Sequence, residues 1–492
     1  MDRAKQARPD GSKTAGADFL QLDVREAPAG GLSDWLAGRL RQAVSDGRLP
    51  VGARLPATRV LAADLRVSRG VVTEAYQRLI EDGHAAGRGR LGTVVVAAPV
   101  TAAPPPARAV PPAAPFAAGP GADAFDALRA APARIDLTPG LPDLAAFPRA
   151  AWLRAERSVL STLETAGLGY GDPHGTPELR RAVAGWLARN RGVRADPADV
   201  VIVAGTAQAL GLLARVLAET GVTEIAVEDP GSLGTRQHLE HWGMRTPPVP
   251  VDAGGIRVDA LRATGAPAVL LTPAHQFPTG AVLAGDRRRD LMDWDGLIIE
   301  DDYDAEHRYD RPPVPALHSM VPERVFYAGS VSKLLAPALR IGWVIAPPPY
   351  RDALVGAKRF ADLGNAALPQ LVLARLMESG EMERRLRLVR RRHRRRRDAM
   401  IGAIRAHLPG ATVHGAAAGL HLTITFDSPV PATALAAAAL DRGVKVHPLS
   451  WHRRLPGPEG LVLGYAATPP TAITEAVATL ATLLRGPARK GT

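Results

Sequence analysis

A lysine closes the short run Gly329-Ser330-Val331-Ser332-Lys333, and Arg340 follows it seven residues later. A lysine amine held on a fixed turn can form a Schiff base with a carbonyl. Hydroxyls beside it can bind a phosphate, and an arginine one or two helical turns on can clamp that phosphate with two parallel N–H donors. Taken alone, such a lysine is as readily a solvated surface charge. Upstream, Leu297-Ile298-Ile299 has the pattern of a buried strand and runs into Glu300-Asp301-Asp302-Tyr303-Asp304. Ends of strands are where open α/β sheets hold ligands. The acidic cluster admits three roles: metal ligands, caps, or a carboxylate paired with a protonated ring nitrogen while the tyrosine hydroxyl reaches a ring oxygen. Earlier still, Val200–Val203 leads into Ala204-Gly205-Thr206-Ala207-Gln208-Ala209-Leu210, whose small residues open a helix with backbone amides free to cup a phosphate. A glycine-threonine turn is common by itself. The cup, the acidic strand end and the lysine in one order, about 100 and about 30 residues apart, are hard to explain separately.

A second group of residues suits nucleic acid. Residues 57–65 and a helix starting at Ser68 are joined by a tight Arg66-Val67 turn, which lays an exposed second helix in a major groove. In that helix Val72, Ala75, Tyr76 and Leu79 share one face, leaving Arg69, Gly70, Thr73 and Gln77 towards solvent, with Arg69 as base or phosphate reader. Next, His84-Ala85-Ala86 and residues 93–96 can pair as strands around Gly87-Arg88-Gly89-Arg90-Leu91-Gly92, a glycine-rich tip able to approach a phosphate backbone or minor groove.

Positioning both groups takes more than one core. The chain has 492 residues, and a prior of about 150 residues per domain predicts roughly three units. Residues 33–46 carry Leu36, Leu40, Ala43 and Val44 at helical spacing behind Ser33 as N-cap, and Pro56 opens the helix after them. Residues 97–134 are dominated by alanine and proline and predict a semi-rigid spacer. Beyond it, strand-like runs at 200–203, 224–227, 269–271 and 297–299 alternate with helical stretches such as 177–190, the signature of βαβ units on a mainly parallel sheet. No internal repeat is present. The chain has no cysteine, which excludes disulfides and thiolate metal sites and fits a reducing cytoplasm. The first twenty residues lack the apolar core of a secretory signal, and no run reaches the roughly 18 apolar residues of a membrane span. A net charge of +12 favours a polyanionic partner without naming one.

The stretch GRLPVGARLPATRVLAADLRVSRGVVTEAYQRLIEDGH resembles the GntR family of winged-helix repressors over about seventy residues. The resemblance implies DNA contacts at Arg54, Arg59, Ser68, Arg69 and Thr73 and at the tip around Gly89; family members often have threonine where Val71 stands. The second half, from about 135 to 484, resembles fold type I pyridoxal-phosphate enzymes of the aminotransferase class. Its stretches LGYGDPHGTPELRRAVAGWLARNRGV, EDPGSLGTR, HQFPTG, EDDYDAEHRY, GSVSKLLAPALRIGW and LVLGYA look like those of MocR regulators. That resemblance implies pyridoxal 5'-phosphate held covalently by the catalytic Lys333, with Asp301 at the pyridine nitrogen and Tyr303 at the phenolic oxygen. Gly205, Thr206, Ala207, Ser330 and Arg340 would take the phosphate, and no metal is implied. His275 and Gln276 occupy the segment where aminotransferases usually place an asparagine near the phenolic oxygen. Two departures stand out. Ser232 replaces the ring-stacking tyrosine after Asp-Pro-Gly, and Leu461-Val462-Leu463-Gly464-Tyr465 lacks the arginine that binds a substrate carboxylate.

The expected fold is therefore α/β. A winged helix-turn-helix spans residues 18–97, an Ala/Pro-rich linker 98–134, and an aminotransferase-like domain 135–486, with a large mainly parallel sheet and a small C-terminal α+β part. The expected function is a cytoplasmic, PLP-dependent DNA-binding transcriptional regulator that senses pyridoxal 5'-phosphate or its adduct with an amine, with weak or no transaminase turnover. The alternative is an active aminotransferase carrying a DNA-binding domain. Expected partners are double-stranded operator DNA with two half-sites, an amine or vitamin B6 effector, and a second copy in a head-to-tail homodimer, with no membrane. The arginine run from Arg384 to Arg397 predicts a long exposed helix.

Overall fold

The computed structural model describes residues 22–28, 30–89, 92–97, 115–116, 119–309 and 314–485. The chain forms two compact units, Met1–Pro111 and Pro112–Thr492. In the first, helices α1 (Leu32–Ser45), α2 (Thr58–Leu65) and α3 (Arg69–Glu81) precede strands β1 (Ala85–Gly87) and β2 (Thr93–Val95). The apolar stripe anticipated for α1 is buried at Leu36, Leu40 and Val44. It meets Leu61 and Leu65 of α2 and Val72, Tyr76 and Leu79 of α3 in one core closed by Val95. Each such leucine contributes about 2 kcal/mol by leaving water. The α2–α3 turn is made by Arg66, which adopts the left-handed conformation at φ 55°. Ser68 is the N-cap of α3 rather than its first residue, its Oγ accepting from the Val71 amide at 3.5 Å. The N-cap position of α2 is Ala57, so Pro56 lies just before the helix and fixes it by accepting the Tyr76 hydroxyl at 2.9 Å. β1 and β2 pair antiparallel, Ala85 opposite Val95, as the wing.

The second unit begins with a departure from expectation. Helix α4 (Ala124–Ala130) lies inside the stretch predicted to be a spacer. Its Ala124 and Leu128 are buried with Leu233 and Trp451, which a run of alanine and proline alone does not announce. The part of the predicted spacer at 98–114 lies outside the described residues. Helix α5 (Pro177–Arg191) starts with Thr176 as N-cap and Pro177 in its first turn and ends at Gly192, φ 70°.

The large sheet has eight strands: β4 (Val200–Val203), β5 (Ala226–Asp229), β6 (Pro248–Asp252), β7 (Gly255–Ile256), β8 (Ala268–Leu271), β9 (Leu297–Asp302), β10 (Val325–Ser330) and β11 (Gly342–Ile345). Their order is β4-β11-β10-β9-β8-β5-β6-β7, with β11 and β7 running against the rest. Alternate residues face opposite sides. Val201, Val203, Ile299, Phe326 and Val344 pack under helix α6 (Thr206–Glu219) and helix 351–362. Val200, Ile202, Tyr327, Trp343 and Ile345 pack against α5 on the other face. Register brings three loops to one edge, because Ser330 pairs with Gly342, Gly342 with Val203, and Gly329 with Asp302. A Cβ on Gly342 would sit 2.8 Å from the Gly329 carbonyl and 3.0 Å from Gly205 Cα, so only glycine lets these strand ends converge.

Helix α7 (Leu233–His241) follows β5, and the 27-residue helix α8 (Glu381–His407) leads into a small antiparallel sheet. That sheet is formed by β12 (Thr412–His414), β13 (His421–Thr425), β15 (His447–Pro448) and β16 (Gly460–Gly464), while β14 (Val444–Lys445) pairs with β3 (Ile135–Asp136). The exposed arginine helix foreseen is only half exposed. Arg385 and Arg396 are buried, Arg390 Nε donates to the Glu306 carbonyl, and Arg397 Nη1 donates to the Ala416 carbonyl at 3.0 Å.

Candidate functional site

At the convergent sheet edge lies a cavity of about 560 Å³. Thr206 and Ala207 line it from the start of α6, Asp301 and Tyr303 from the end of β9, and Ser330, Lys333 and Arg340 from the end of β10 and the loop beyond it. Gly205 is the N-cap of α6 at φ 81°. A Cβ there would adopt a conformation L-residues avoid and approach Arg340 Nη1 at 3.2 Å. Arg340 is tethered by a donated hydrogen bond to the Ala204 carbonyl, so guanidinium and free helix amides sit together, an arrangement suited to a phosphate.

Lys333 points its amine at the Gly140 carbonyl, 2.7 Å away. Burial holds its pKa below the ordinary lysine range against the pull of Asp301 and Asp304, which leaves more of it as the nucleophilic free amine. The Asp301 carboxyl is pushed up to about 7, first by burial and then by the charge of Asp302. Its Oδ1 is buried without a hydrogen-bond partner, the condition a protonated ring nitrogen would relieve. Asp302 faces the other way, accepting from Tyr327 Oη at 2.5 Å and pairing with the buried Arg191.

His275 lies fully inside, with Nδ1 3.0 Å from both the Tyr303 hydroxyl and Asp304 Oδ2. A Cβ on Gly419, φ 79°, would fall 2.0 Å from His275 Cε1, so that glycine makes the imidazole's place. Gln276 turns away, its amide donating to the Pro230 and Phe277 carbonyls, which leaves His275 as the member of that pair beside Tyr303. Sequence reasoning missed Gly140, Asp304, His421 and Phe125. Asp304 was legible inside EDDYD, but nothing local marked the other three, which reach the cavity region from distant parts of the chain. Among the described residues, His275, Asp304 and His421 are a group whose ligand atoms approach within 4.8 Å of one another, close enough to consider a metal ion.

In the first unit the six residues foreseen as DNA contacts are all exposed. Arg69 Nε donates to Thr58 Oγ1 at 3.3 Å, which aims the guanidinium outward from the α2–α3 corner. Arg59 extends from the first turn of α2. The hydroxyls of Ser68 and Thr73 are engaged within α3, the latter donating to the Arg69 carbonyl at 2.9 Å. Arg54 lies against the wing, where a Cβ on Gly92 would meet its Nε at 3.1 Å, and Gly89 takes φ 54° at the tip.

The two units match two known families: residues 32–95 match the bacterial regulatory proteins of the gntR family, and residues 135–480 match aminotransferase class I and II. The probable rhizopine catabolism regulatory protein MocR of Rhizobium meliloti is 33% identical over 90% of this chain and 91% of its own. The chain belongs to the MocR subfamily of GntR-type transcriptional regulators. The pyridoxine biosynthesis regulator PdxR of Corynebacterium glutamicum is 30% identical over 88% of this MocR-type chain and 91% of its own. The aminotransferase-like unit is similar to the α-aminoadipate aminotransferase LysN of Thermus thermophilus, solved with N-(5'-phosphopyridoxyl)-L-leucine. The TM-score is 0.66 and the identity 28%, over 74% of this chain and 94% of LysN. This MocR-type protein is thus a DNA-binding regulator joined to a fold that, in aminotransferases of this class, depends on pyridoxal phosphate. Among its described residues no helix is long and apolar enough to cross a membrane.

Proposed function

We propose that this regulator binds pyridoxal 5'-phosphate on Lys333 and senses the cofactor, or its adduct with an amine, to control binding of its winged-helix unit to operator DNA. The observation that carries the reading is the meeting, in one cavity, of a buried lysine amine, an unpartnered carboxylate oxygen of Asp301 and a helix start backed by Arg340. When bound, the cofactor supplies an electrophilic carbon for amines. The α6 amides at Thr206 and Ala207, with Ser330 and Arg340, hold its phosphate. Asp301 holds the proton of the ring nitrogen, and Tyr303, oriented by His275, donates to the phenolic oxygen. Lys333 would anchor the cofactor through its amine, which burial keeps more readily deprotonated.

Turnover as an aminotransferase is the weaker reading, because β16, whose residues are all buried, carries no arginine for a substrate carboxylate. The regulator acts as a homodimer, head-to-tail, reading two half-sites related by two-fold symmetry. On the DNA, Arg69, Arg59 and Arg54, the α3 positions Ser68 and Thr73, and the Gly89 tip make the contacts.

A gel-shift titration against the protein's own upstream DNA, at fixed salt, with and without pyridoxal phosphate, tests the reading. A cofactor-dependent shift in the wild type that is lost in Lys333→Ala is expected. Binding indifferent to the cofactor, or no binding above the non-specific level, would overturn it.

A further inference from the structure

Ser232, the N-cap of α7, stands where the resemblance read from the sequence implies a ring-stacking tyrosine. Its Oγ accepts the Thr235 amide at 3.2 Å as the N-cap of that helix, so the side chain is folded back and presents no ring. Two residues on stands Gly234, which also lines the cavity. A Cβ at Gly234 would lie 3.4 Å from Cε2 of Phe125, so the ring of Phe125 occupies the space beside the start of α7. Small residues at 232 and 234 and a large flat one at 125 are therefore complementary.

Phe125 comes from α4, within the stretch predicted to be a spacer, and it too lines the cavity. Its ring has two aromatic neighbours. It stacks on His447 with centroids 5.4 Å apart at 30°, and meets Trp451 edge-on at 6.1 Å. Burial holds His447 neutral, its pKa lowered to about 3, so the stack carries no charge. A further tie fixes the chain just before α4, where Gln237 Nε2 of α7 donates to the Gly121 carbonyl at 2.8 Å. Phe277, another ring in the cavity wall, is instead engaged by His421, His452 and Tyr303.

We propose that Phe125 is the aromatic side chain that packs on the ring of the bound cofactor, since it lines the same cavity as Lys333, Asp301 and Tyr303. This rests on the cofactor reading above. An offset-stacked pair adds roughly 0.5–1.5 kcal/mol beyond area burial, and every 1.4 kcal/mol is tenfold in affinity. On α4 both Phe125 and Leu128 line the cavity and belong to the packing cluster with Leu233 and Trp451, and of the two only Phe125 offers a ring.

The test uses the full-length protein with Phe125→Ala and Phe125→Tyr. Equilibrium dialysis gives the dissociation constant for pyridoxal phosphate, and circular dichroism in the cofactor's absorption band reports the asymmetry of its surroundings. Phe125→Ala is expected to weaken binding about tenfold and reduce the induced signal, with Phe125→Tyr close to wild type. Far-ultraviolet dichroism and cofactor-free DNA binding serve as controls for folding. Unchanged affinity and unchanged induced signal would overturn the stacking role. A wild-type protein that binds no cofactor would overturn both this and the cofactor reading, whereas cofactor binding with an unaffected alanine variant sinks only the role of Phe125.

Discussion

Asp304 Oδ2 lies 3.0 Å from Nδ1 of His275, the same nitrogen that lies 3.0 Å from the Tyr303 hydroxyl. A carboxylate at that distance holds the proton on Nδ1, because a charge-assisted N–H···O bond outweighs one to a phenol. The tyrosine hydroxyl then has no acceptor in the imidazole, and the Asp304 carboxylate beside it also takes part in its hydrogen bonding. Asp304 is thus a positioning residue acting through His275. Asp304→Asn keeps the shape and removes the charge that favours the protonated form of a Schiff base nearby. The pH midpoint of the bound cofactor's absorbance is expected to fall by roughly 0.5–1 unit, with thermal stability nearly unchanged. An identical midpoint would refute the role.

Asp301 ties the cavity to pH. Its carboxyl titrates at about 7 in the folded protein, burial being the main cause, against 3.8 ordinarily. Folding without cofactor therefore takes up a proton between about pH 4 and pH 7. Stability is lost as pH rises through that window and levels off above it. Asp301→Asn lacks this contribution and keeps those of the buried Glu228, Glu300 and Glu306, whose carboxyls are also pushed up to about 7. Urea unfolding of the cofactor-free proteins is expected to show the variant gaining on wild type between pH 5 and pH 8, by up to about 3 kcal/mol. A difference independent of pH would count against a buried, unpaired Asp301. In the same variant the affinity for the cofactor should fall.

The local signals were legible because they are local. Helical spacing in α1 and α3, the alternation of strands and helices, and the strand-to-loop runs at 200–210, 297–304 and 325–333 depend on neighbours in sequence. What could not be read depends on chain segments far apart. Phe125 and Leu128 gain meaning only from Leu233 and Trp451, more than a hundred residues away. His421 reaches the neighbourhood of His275 only because β13 pairs with β16 in the small sheet. Caps shifted by one residue at Ala57 and Ser68 reflect a choice between first helical residue and cap that composition leaves open.

The arginine run shows the same limit energetically. Asp143, itself 3% exposed, pairs with Arg392 at 2.8 Å and Arg396 at 3.0 Å on α8, and Arg396 also donates to the Ala466 carbonyl. Removing one partner of a buried pair leaves the other charge uncompensated, at a cost of about 3–5 kcal/mol. Asp143→Ala should therefore destabilise the second unit by about 3 kcal/mol in urea unfolding. A loss below about 1 kcal/mol would mean the two arginines find water instead.

On the DNA-binding unit the two arginines Arg69 and Arg54 differ in what fixes them. Arg69 stands at the first turn of α3, the end that enters a major groove in helix-turn-helix proteins, and Thr58 orients its Nε. Arg54 lies along the wing beside Gly92, a position suited to backbone phosphates. Arg69→Ala should weaken operator binding by about 1–3 kcal/mol and relax preference at one position of each half-site. Arg54→Ala should weaken binding to all sequences alike and reduce the slope of log affinity against log salt by about one for each phosphate no longer neutralised. Fluorescence anisotropy on operator and scrambled duplexes at several salt concentrations separates the two. If Arg69→Ala lowered binding to both duplexes equally, Arg69 would be a phosphate contact and sequence would be read from elsewhere on α3.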